Sequence, residues 1–393
     1  MRIQKHLTAL LPPLSQPVSL SHSRMDEFFG RLHTSPGSSP RAAAPYAIGP
    51  QSQGWALLGA SRNAAPRFLA ALRGLSPAPS GAVRAWPSAL HSHNARLARD
   101  FAHQHALAFA SVELEVILAR PEVHCVYVAN HPRHHAASVE AALRAGKHVL
   151  CEPPLALHVD EAQALEQLAA HRGRILGLNY QQRFDPALLL LRHWLSEHAL
   201  GDLVGGAVRN TTLLAASQQG WRVDAAWGGV VLDRTLRSVD AIRFMTNETV
   251  RAQGAAAGPR ALGAAAASAP GAAAIEALHG LLALPRTGAI FNTFDAYLAP
   301  HILPRIEVYG STGAAALMPW RSESSSALFF DRHGEQLSAA GETPAADLWS
   351  ASISAFVAAV ESNGAPPIAA AEDIANLRVC RALLAQAGGP APV

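Results

Sequence analysis

The sequence predicts two unlike layers of structure, a doubly wound parallel α/β domain followed by an α+β domain with a large, mostly antiparallel open sheet. Strand-like and helix-like segments alternate from Trp55 to His171, the rhythm of parallel strands joined by crossover helices. After Tyr180 the strand-like runs become longer and follow one another, the pattern of an antiparallel sheet. The composition supports both domains: 49% of the 393 residues are hydrophobic and only 16% charged, against about 25% charged in an average globular chain.

Residues 1–52 contain the Ser- and Pro-rich stretch from Ser35 to Pro45 and are expected to form a flexible arm, with Met25 an alternative start. Trp55–Ala60 has the length and content of a buried strand, and Arg67–Leu72 of the helix after it. Ala82–Trp86 reads as a second strand, Asn94–Gln104 and Ser111–Ala119 as helices, and the apolar Cys125–Asn130 as a strand covered on both faces. The helix over His134–Gly146 ends on a glycine, as helices commonly do. His148–Glu152 is the next strand and Val159–His171 the next helix. These elements place the first domain at 53–175. The second, at 176–388, takes its strands from residues 204–214, 277–284, 289–298 and 305–319 and closes with helices near the end, while the Ala/Gly-rich stretch 252–274 is expected to be a loop.

Lysine and arginine exceed aspartate and glutamate by three, with no basic run, so the charge footprint of a nucleic-acid binder is missing. Three widely separated cysteines exclude a disulfide scaffold and fit a reducing compartment. No CxxC or HExxH spacing points to a metal. The most suspicious apolar stretch, from Gly254 to Ile275, is broken by Pro259 and Pro270 and carries Arg260, which argues against a membrane span. A cytoplasmic protein is expected.

Gly59 follows the first strand and precedes a helix, where backbone N–H groups meet phosphate. The dinucleotide fingerprint G-x-G-x-x-G/A reads here Gly59-Ala60-Ser61-Arg62-Asn63-Ala64, with Ser61 at the middle glycine. Gly59, Ser61, Arg62, Asn63 and Ala64 are therefore candidates for cofactor contact; in the alternative reading Arg62 is an ordinary surface residue of a turn. At the end of the second strand, where an acidic residue would hold a ribose, Ser88 is the candidate, and the missing carboxylate slightly favours NADP over NAD.

The segment PEVHCVYVANHPRHHAASVEAALRAGKHVLCEPPLAL resembles the Gfo/Idh/MocA oxidoreductases. The likeness continues through LGLNYQQRFDPALLLLR at 176–192, GDLVG at 201–205, GGVVLDRTLRSVDAIRFM at 228–245 and IEVYGSTGA at 306–314, covering roughly 54–388. It implies a Rossmann domain that holds NAD(P) and a second sheet that shapes a substrate pocket and mediates homo-oligomer formation. It further implies oxidation or reduction of a hydroxyl/carbonyl pair, or an imine, on a small polar, sugar- or cyclitol-like molecule. Two family positions differ. The lysine of the E-K-P motif is Pro153, in Glu152-Pro153-Pro154, and the acid/base histidine of the D-x-x-x-H-x-x-D-like element is Arg237, between Asp233 and Asp240.

Proline cannot titrate, and arginine stays charged at neutral pH and is a poor base. Arginine can still orient a polar oxygen or stabilise a developing oxyanion. Arg237, Asp233, His131 and Tyr180 are thus the catalytic candidates, with Asp233 expected to orient substrate or Arg237. Asn130, His135, Glu152 and Arg183 join the cofactor-binding candidates, and no metal is expected. For Arg183 a structural ion pair at the domain transition is the competing reading. The two functions in contention are an atypical NAD(P)-dependent oxidoreductase and a catalytically degenerate ligand-binding or accessory protein.

Overall fold

The computed structural model describes residues 48–389, apart from 76, 78–82, 216–217, 225–226, 259–273, 298–302, 321–324, 332, 335 and 340–346. Most of the expected N-terminal arm, and most of the Ala/Gly-rich stretch, lie outside the described residues. Two expectations are corrected at their margins. Strand β1 covers Ile48–Leu58 and so takes in the end of the expected arm, and strand β8, Arg251–Ala257, occupies the start of the expected loop.

The first sheet has six parallel strands in the order β3-β2-β1-β4-β5-β6. Besides β1 these are β2 (Val83–His91), β3 (Phe109–Ser111), β4 (Val123–Val128), β5 (His148–Cys151) and β6 (Leu176–Leu178). Helices α1 (Ala64–Arg73), α2 (Ala95–Gln104), α3 (Leu114–Leu118), α4 (His135–Arg144) and α5 (Val159–His171) make the crossovers. Strand order reverses between β1 and β4, which opens a crevice at the C-terminal edge of the sheet.

Strand β2 runs past its expected end at Trp86. Pro87 has no N–H to give the ladder, and pairing steps from Trp55–Pro87 to Ala56–Ala89, leaving Ser88 as a bulge. The Ser88 hydroxyl donates to the Trp55 carbonyl at 3.2 Å, replacing the missing donor. The strand then continues to His91.

Helix α6 (Pro186–Ser196) leads into the second sheet, whose eight strands run β14-β13-β12-β11-β7-β10-β9-β8. Its centre is β7 (Leu203–Thr211), flanked by β10 (Ile290–Ala296), parallel to it, and β11 (Arg305–Gly310), antiparallel to it. Strands β9 (Ala277–Ala283), β12 (Gly313–Met318), β13 (Ser326–Asp331) and β14 (Gln336–Ala339) extend it by antiparallel pairing. Helix α7 (Leu236–Thr246) covers this sheet and is entered through a π-helical turn at Val231–Thr235.

The closing helices return to the first half of the chain. Trp349, Ile353, Phe356 and Val357 of α8 (Leu348–Ser362) are buried against one face of the first sheet. There Phe68 stacks on Tyr127 at 4.2 Å, and Trp55 meets Phe68 at 5.5 Å and Phe356 at 5.6 Å. Helix α9 (Ala370–Gln386) contributes Ile374, Leu377, Cys380 and Leu383 to the other core. All three cysteines are buried and free. Among the described residues no helix is long and apolar enough to cross a membrane.

Candidate active site

A cavity of about 360 Å³ lies at the C-terminal ends of β1, β2 and β4. Its floor is Gly59-Ala60-Ser61, one wall is His91-Ser92-His93-Asn94, and the other is Ala129-Asn130-His131 with His134 and Trp221. Gly59 is the residue this floor requires. Its φ is +107°, and an added Cβ would sit 2.5 Å from the Asn130 Cα, so a side chain would force the two strand ends apart.

The fingerprint residues divide. The Ser61 hydroxyl accepts from the N–H groups of Ala64 and Ala65, each at 3.1 Å, and so satisfies the start of α1. Arg62 and Asn63 are exposed beside it. Asn130 donates from Nδ2 to Ser138 at 2.8 Å, and its Oδ1 is buried with no partner. Ser88 is corrected: it is buried inside the sheet as the bulge residue, and the strand end it was expected to mark is His91.

Four histidines line the cavity, and sequence reasoning singled out only His131 among them. His91 and His93 meet edge to face at 4.8 Å, His93 and His134 lie 4.9 Å apart, and His131 and His134 6.0 Å apart. His131 packs on Trp227 at 5.4 Å and Trp221 at 6.0 Å. Burial pushes its pKa down to about 4, with Arg133, His134 and His135 adding to the shift, so the ring is neutral at pH 7. Its Nδ1 accepts from the Arg133 N–H at 3.2 Å, which leaves the proton on Nε2. His131 thus presents an N–H donor to the cavity rather than a base. The missed signal was the run His91-Ser-His93, which becomes legible only once β2 is extended through Pro87.

His135 is corrected from cofactor contact to scaffold. It is buried, with Nδ1 2.7 Å from the Pro154 carbonyl and Nε2 3.1 Å from the Asn130 carbonyl, so it ties the end of β4 to the Glu152-Pro153-Pro154 loop. Burial lowers its pKa despite those carbonyls.

The remaining candidates lie beyond the end of β5. Glu152 Oε1 accepts from the Tyr127 hydroxyl and from Asn179 Nδ2, each at 2.6 Å. Its Oε2 faces Arg237 Nη2 at 3.5 Å. Arg237 also lies over the Tyr180 ring at 6.0 Å, while its Nε and Nη1 are buried without a hydrogen-bond partner. An unpaired buried guanidinium N–H costs free energy until an oxygen meets it.

Three expectations are corrected here. Asp233 does not hold Arg237. It pairs with Arg222 and Arg234, each at 3.3 Å, and accepts from the Tyr297 hydroxyl at 3.0 Å; the carboxylate beside Arg237 is Glu152. Tyr180 is buried and its hydroxyl donates to Asp373; burial raises its pKa well above the usual range, with Asp373 and Asp240 adding to it, so the phenol stays protonated and engaged inside the protein. Arg183 is not at the cavity either. It donates to Asp240 at 3.0 and 2.6 Å and to Glu372 at 2.9 Å. Burial opposes its charge, and the two carboxylates overcome that and hold its pKa above the usual range.

The family profile for the Gfo/Idh/MocA oxidoreductases, described as an oxidoreductase family with an NAD-binding Rossmann fold, matches residues 55–180. A 1,5-anhydro-D-fructose reductase of Ensifer adhaerens is 28% identical over 316 residues, 79% of this chain and 89% of its own. A dTDP-3,4-didehydro-2,6-dideoxy-α-D-glucose 3-reductase of Streptomyces violaceoruber is 35% identical over 134 residues, 34% of this chain and 39% of its own. Among solved structures, the aldose-aldose oxidoreductase of Caulobacter crescentus superposes with a TM-score of 0.74 at 22% identity, covering 86% of this chain and 98% of that one. A levoglucosan dehydrogenase in complex with NADH and levoglucosan gives 0.73 at 19% identity, covering 86% and 98%. Residues 55–180 thus match the NAD-binding Rossmann domain of the Gfo/Idh/MocA oxidoreductase family, and the glycine-floored cavity where β1 and β4 part lies within that match.

Proposed function

We propose that the protein is an NAD(P)-dependent oxidoreductase acting on a hydroxyl, carbonyl or imine group of a small polar, sugar- or cyclitol-like molecule. The observation that carries this reading is Arg237, whose Nε–H and Nη1–H lack partners beside a Glu152 fixed by Tyr127 and Asn179.

The cavity suits a dinucleotide. Its glycine floor admits close backbone approach, the Asn130 Oδ1 is an unused acceptor, and no carboxylate is among its lining residues to repel phosphate. Gly59 to Ala64 would cradle the pyrophosphate and His91 to Asn94 the adenosine ribose, with NADP favoured because no acid closes the ribose end. When bound, the cofactor supplies the hydride acceptor or donor. Arg237 donates N–H groups to the reacting oxygen and stabilises negative charge on it. Glu152 keeps the guanidinium in place, and the proton is exchanged with water, because neither Arg237 nor the Nε2–H of His131 can accept one.

That last point also favours a second reading, a ligand-binding protein without turnover. Calorimetry with NAD⁺ and NADP⁺, followed by turnover on a panel of sugars, cyclitols and imines, separates the two. The enzyme reading expects Arg237→Met to lower kcat/KM about 100-fold while leaving dinucleotide affinity unchanged. Binding with no turnover on any panel member supports the second reading, and binding of neither dinucleotide sinks the first.

A further inference from the structure

We propose that Asn179 and Ser352 are positioning residues: with the Tyr127 hydroxyl they withhold one oxygen of Glu152 from Arg237, so that the guanidinium keeps an N–H free for the substrate. The inference rests on the reading of Arg237 above and goes beyond it in assigning what keeps that group unpaired.

The shape of the pair carries it. Two other arginines of this protein close side-on upon a carboxylate through Nε and Nη2. Arg183 meets the two oxygens of Asp240 at 3.0 and 2.6 Å, and Arg84 those of Glu361 at 2.8 and 2.6 Å. Such a fork is the strong form of the contact. Arg237 and Glu152 meet at one point only: Nη2 faces Oε2 at 3.5 Å, and Nε is buried with no partner. A buried guanidinium beside a carboxylate that could turn would take both oxygens, so something holds the second one back.

That oxygen is Oε1. It accepts from the Tyr127 hydroxyl and from Asn179 Nδ2, each at 2.6 Å, which uses both of its lone pairs. Neither donor is free to follow a turning carboxylate. The Tyr127 ring is buried and stacked on Phe68 at 4.2 Å, and burial, with Glu152 beside it, keeps the phenol protonated. Asn179 is buried too, and its Oδ1 accepts from the buried Ser352 hydroxyl of α8 at 2.8 Å. With its oxygen engaged by Ser352, the amide has its NH2 turned to Glu152. Removing these donors frees Oε1 to complete the fork on Nε. Substrate must then displace a carboxylate before it reaches Arg237.

The test is nuclear magnetic resonance of the arginine Nε–H groups in the full chain, with the Arg237 signal identified by its loss in Arg237→Met. The expected result is a downfield shift in Asn179→Leu, the mark of a new hydrogen bond to a carboxylate, and no shift from the same substitution in a Glu152→Ala background. Ser352→Ala and Tyr127→Phe each remove one hydroxyl, should move the signal the same way, and carry the test if Asn179→Leu does not fold. On a substrate that turns over, Asn179→Leu should lower kcat/KM about tenfold, through KM rather than kcat, as when one molecule in ten holds Arg237 open. A merely structural role would leave the signal in place, so an unmoved signal in the folded variants overturns the assignment. A shift that persists without Glu152 overturns it as well. Calorimetry with NAD⁺ and NADP⁺ separates this from the reading beneath it. The shift without binding of either dinucleotide overturns that reading and leaves the restraint on Glu152 standing, whereas binding and turnover without the shift overturn this assignment alone.

Discussion

The cavity edge of the first sheet and the joint between α6, α7 and α9 use polar residues in opposite ways. At the joint, charges are matched inside the protein: Arg183 spans Asp240 and Glu372, Arg243 reaches Glu372 at 3.2 Å and Asn376 at 2.8 Å, and Asn376 donates to Asp240 at 2.8 Å. At the cavity, the polar atoms are left unmatched: Asn130 Oδ1, His91 Nδ1 and, farther along, Arg237 Nε and Nη1. A matched buried charge holds elements together, whereas an unmatched buried group costs stability and is retained where a ligand will meet it. Residue type alone does not separate the two, since arginines serve on both sides: Arg183 and Arg243 are matched at the joint, while Arg237 keeps two unmatched nitrogens.

The largest expected effect lies at the joint. Arg183→Met leaves Asp240, itself buried, without its cation and should destabilise the fold by about 3–5 kcal/mol. Urea unfolding measures this, and a loss below about 1 kcal/mol would break the distinction drawn above. Replacing Asp240 as well, as Arg183→Met with Asp240→Leu, should recover part of the loss because no lone charge then remains.

At the cavity the corresponding test is Gly59→Val. With φ at +107° and the new Cβ 2.5 Å from Asn130, the strand ends must separate. NAD⁺ affinity is expected to fall at least about 100-fold, some 2.7 kcal/mol. Retained affinity in the folded variant would place the dinucleotide elsewhere.

Much of this division was visible in the sequence, and the remainder fails for identifiable reasons. Alternating apolar segments gave the parallel sheet, and adjacent long strands gave the second one, because periodicity reports burial locally. Gly59 was legible because it opens the dinucleotide fingerprint between a buried strand and a helix. Ser88 was misplaced because Pro87 reads as a strand end, while the chain absorbs it as a bulge repaired by the Ser88 hydroxyl. Tyr180 and Arg183 looked like cleft residues because their partners, Asp373, Glu372 and Asp240, are 57 to 193 positions away in the chain. The pairing of Arg237 with Glu152 rather than Asp233 was hidden likewise: the nearer carboxylate in sequence is taken by Arg222, Arg234 and Tyr297.

A matched group and an unmatched one can also share a residue. Asp295 accepts from Ser238 at 2.6 Å on one oxygen, while its other oxygen is buried without a partner. Burial raises its pKa to about 6, against which the Ser238 hydroxyl works. The folded state then holds a proton that the unfolded chain, with an aspartate near 4, has released. Stability contributed by this group is present below about pH 4 and is lost as pH rises through 6, on the order of 2 kcal/mol. Asp295→Asn should remove that contribution, so that its stability relative to the wild type improves between pH 4 and 6. Parallel denaturation curves for the two proteins across that window would show the carboxyl to be unshifted.

The smallest effect is expected where scaffold and site meet, at Ser61. Its hydroxyl matches the Ala64 and Ala65 N–H groups that begin α1, donors that the fingerprint's middle glycine would leave for phosphate. Ser61→Gly trades one use for the other. Stability should fall by only a few tenths of a kcal/mol, about the difference between serine and glycine at a helix start. NAD⁺ affinity should rise roughly two- to fivefold, as two amides turn toward the pyrophosphate. If affinity falls instead, the serine hydroxyl is itself a phosphate ligand, and the cavity floor belongs wholly with the unmatched groups that wait for one.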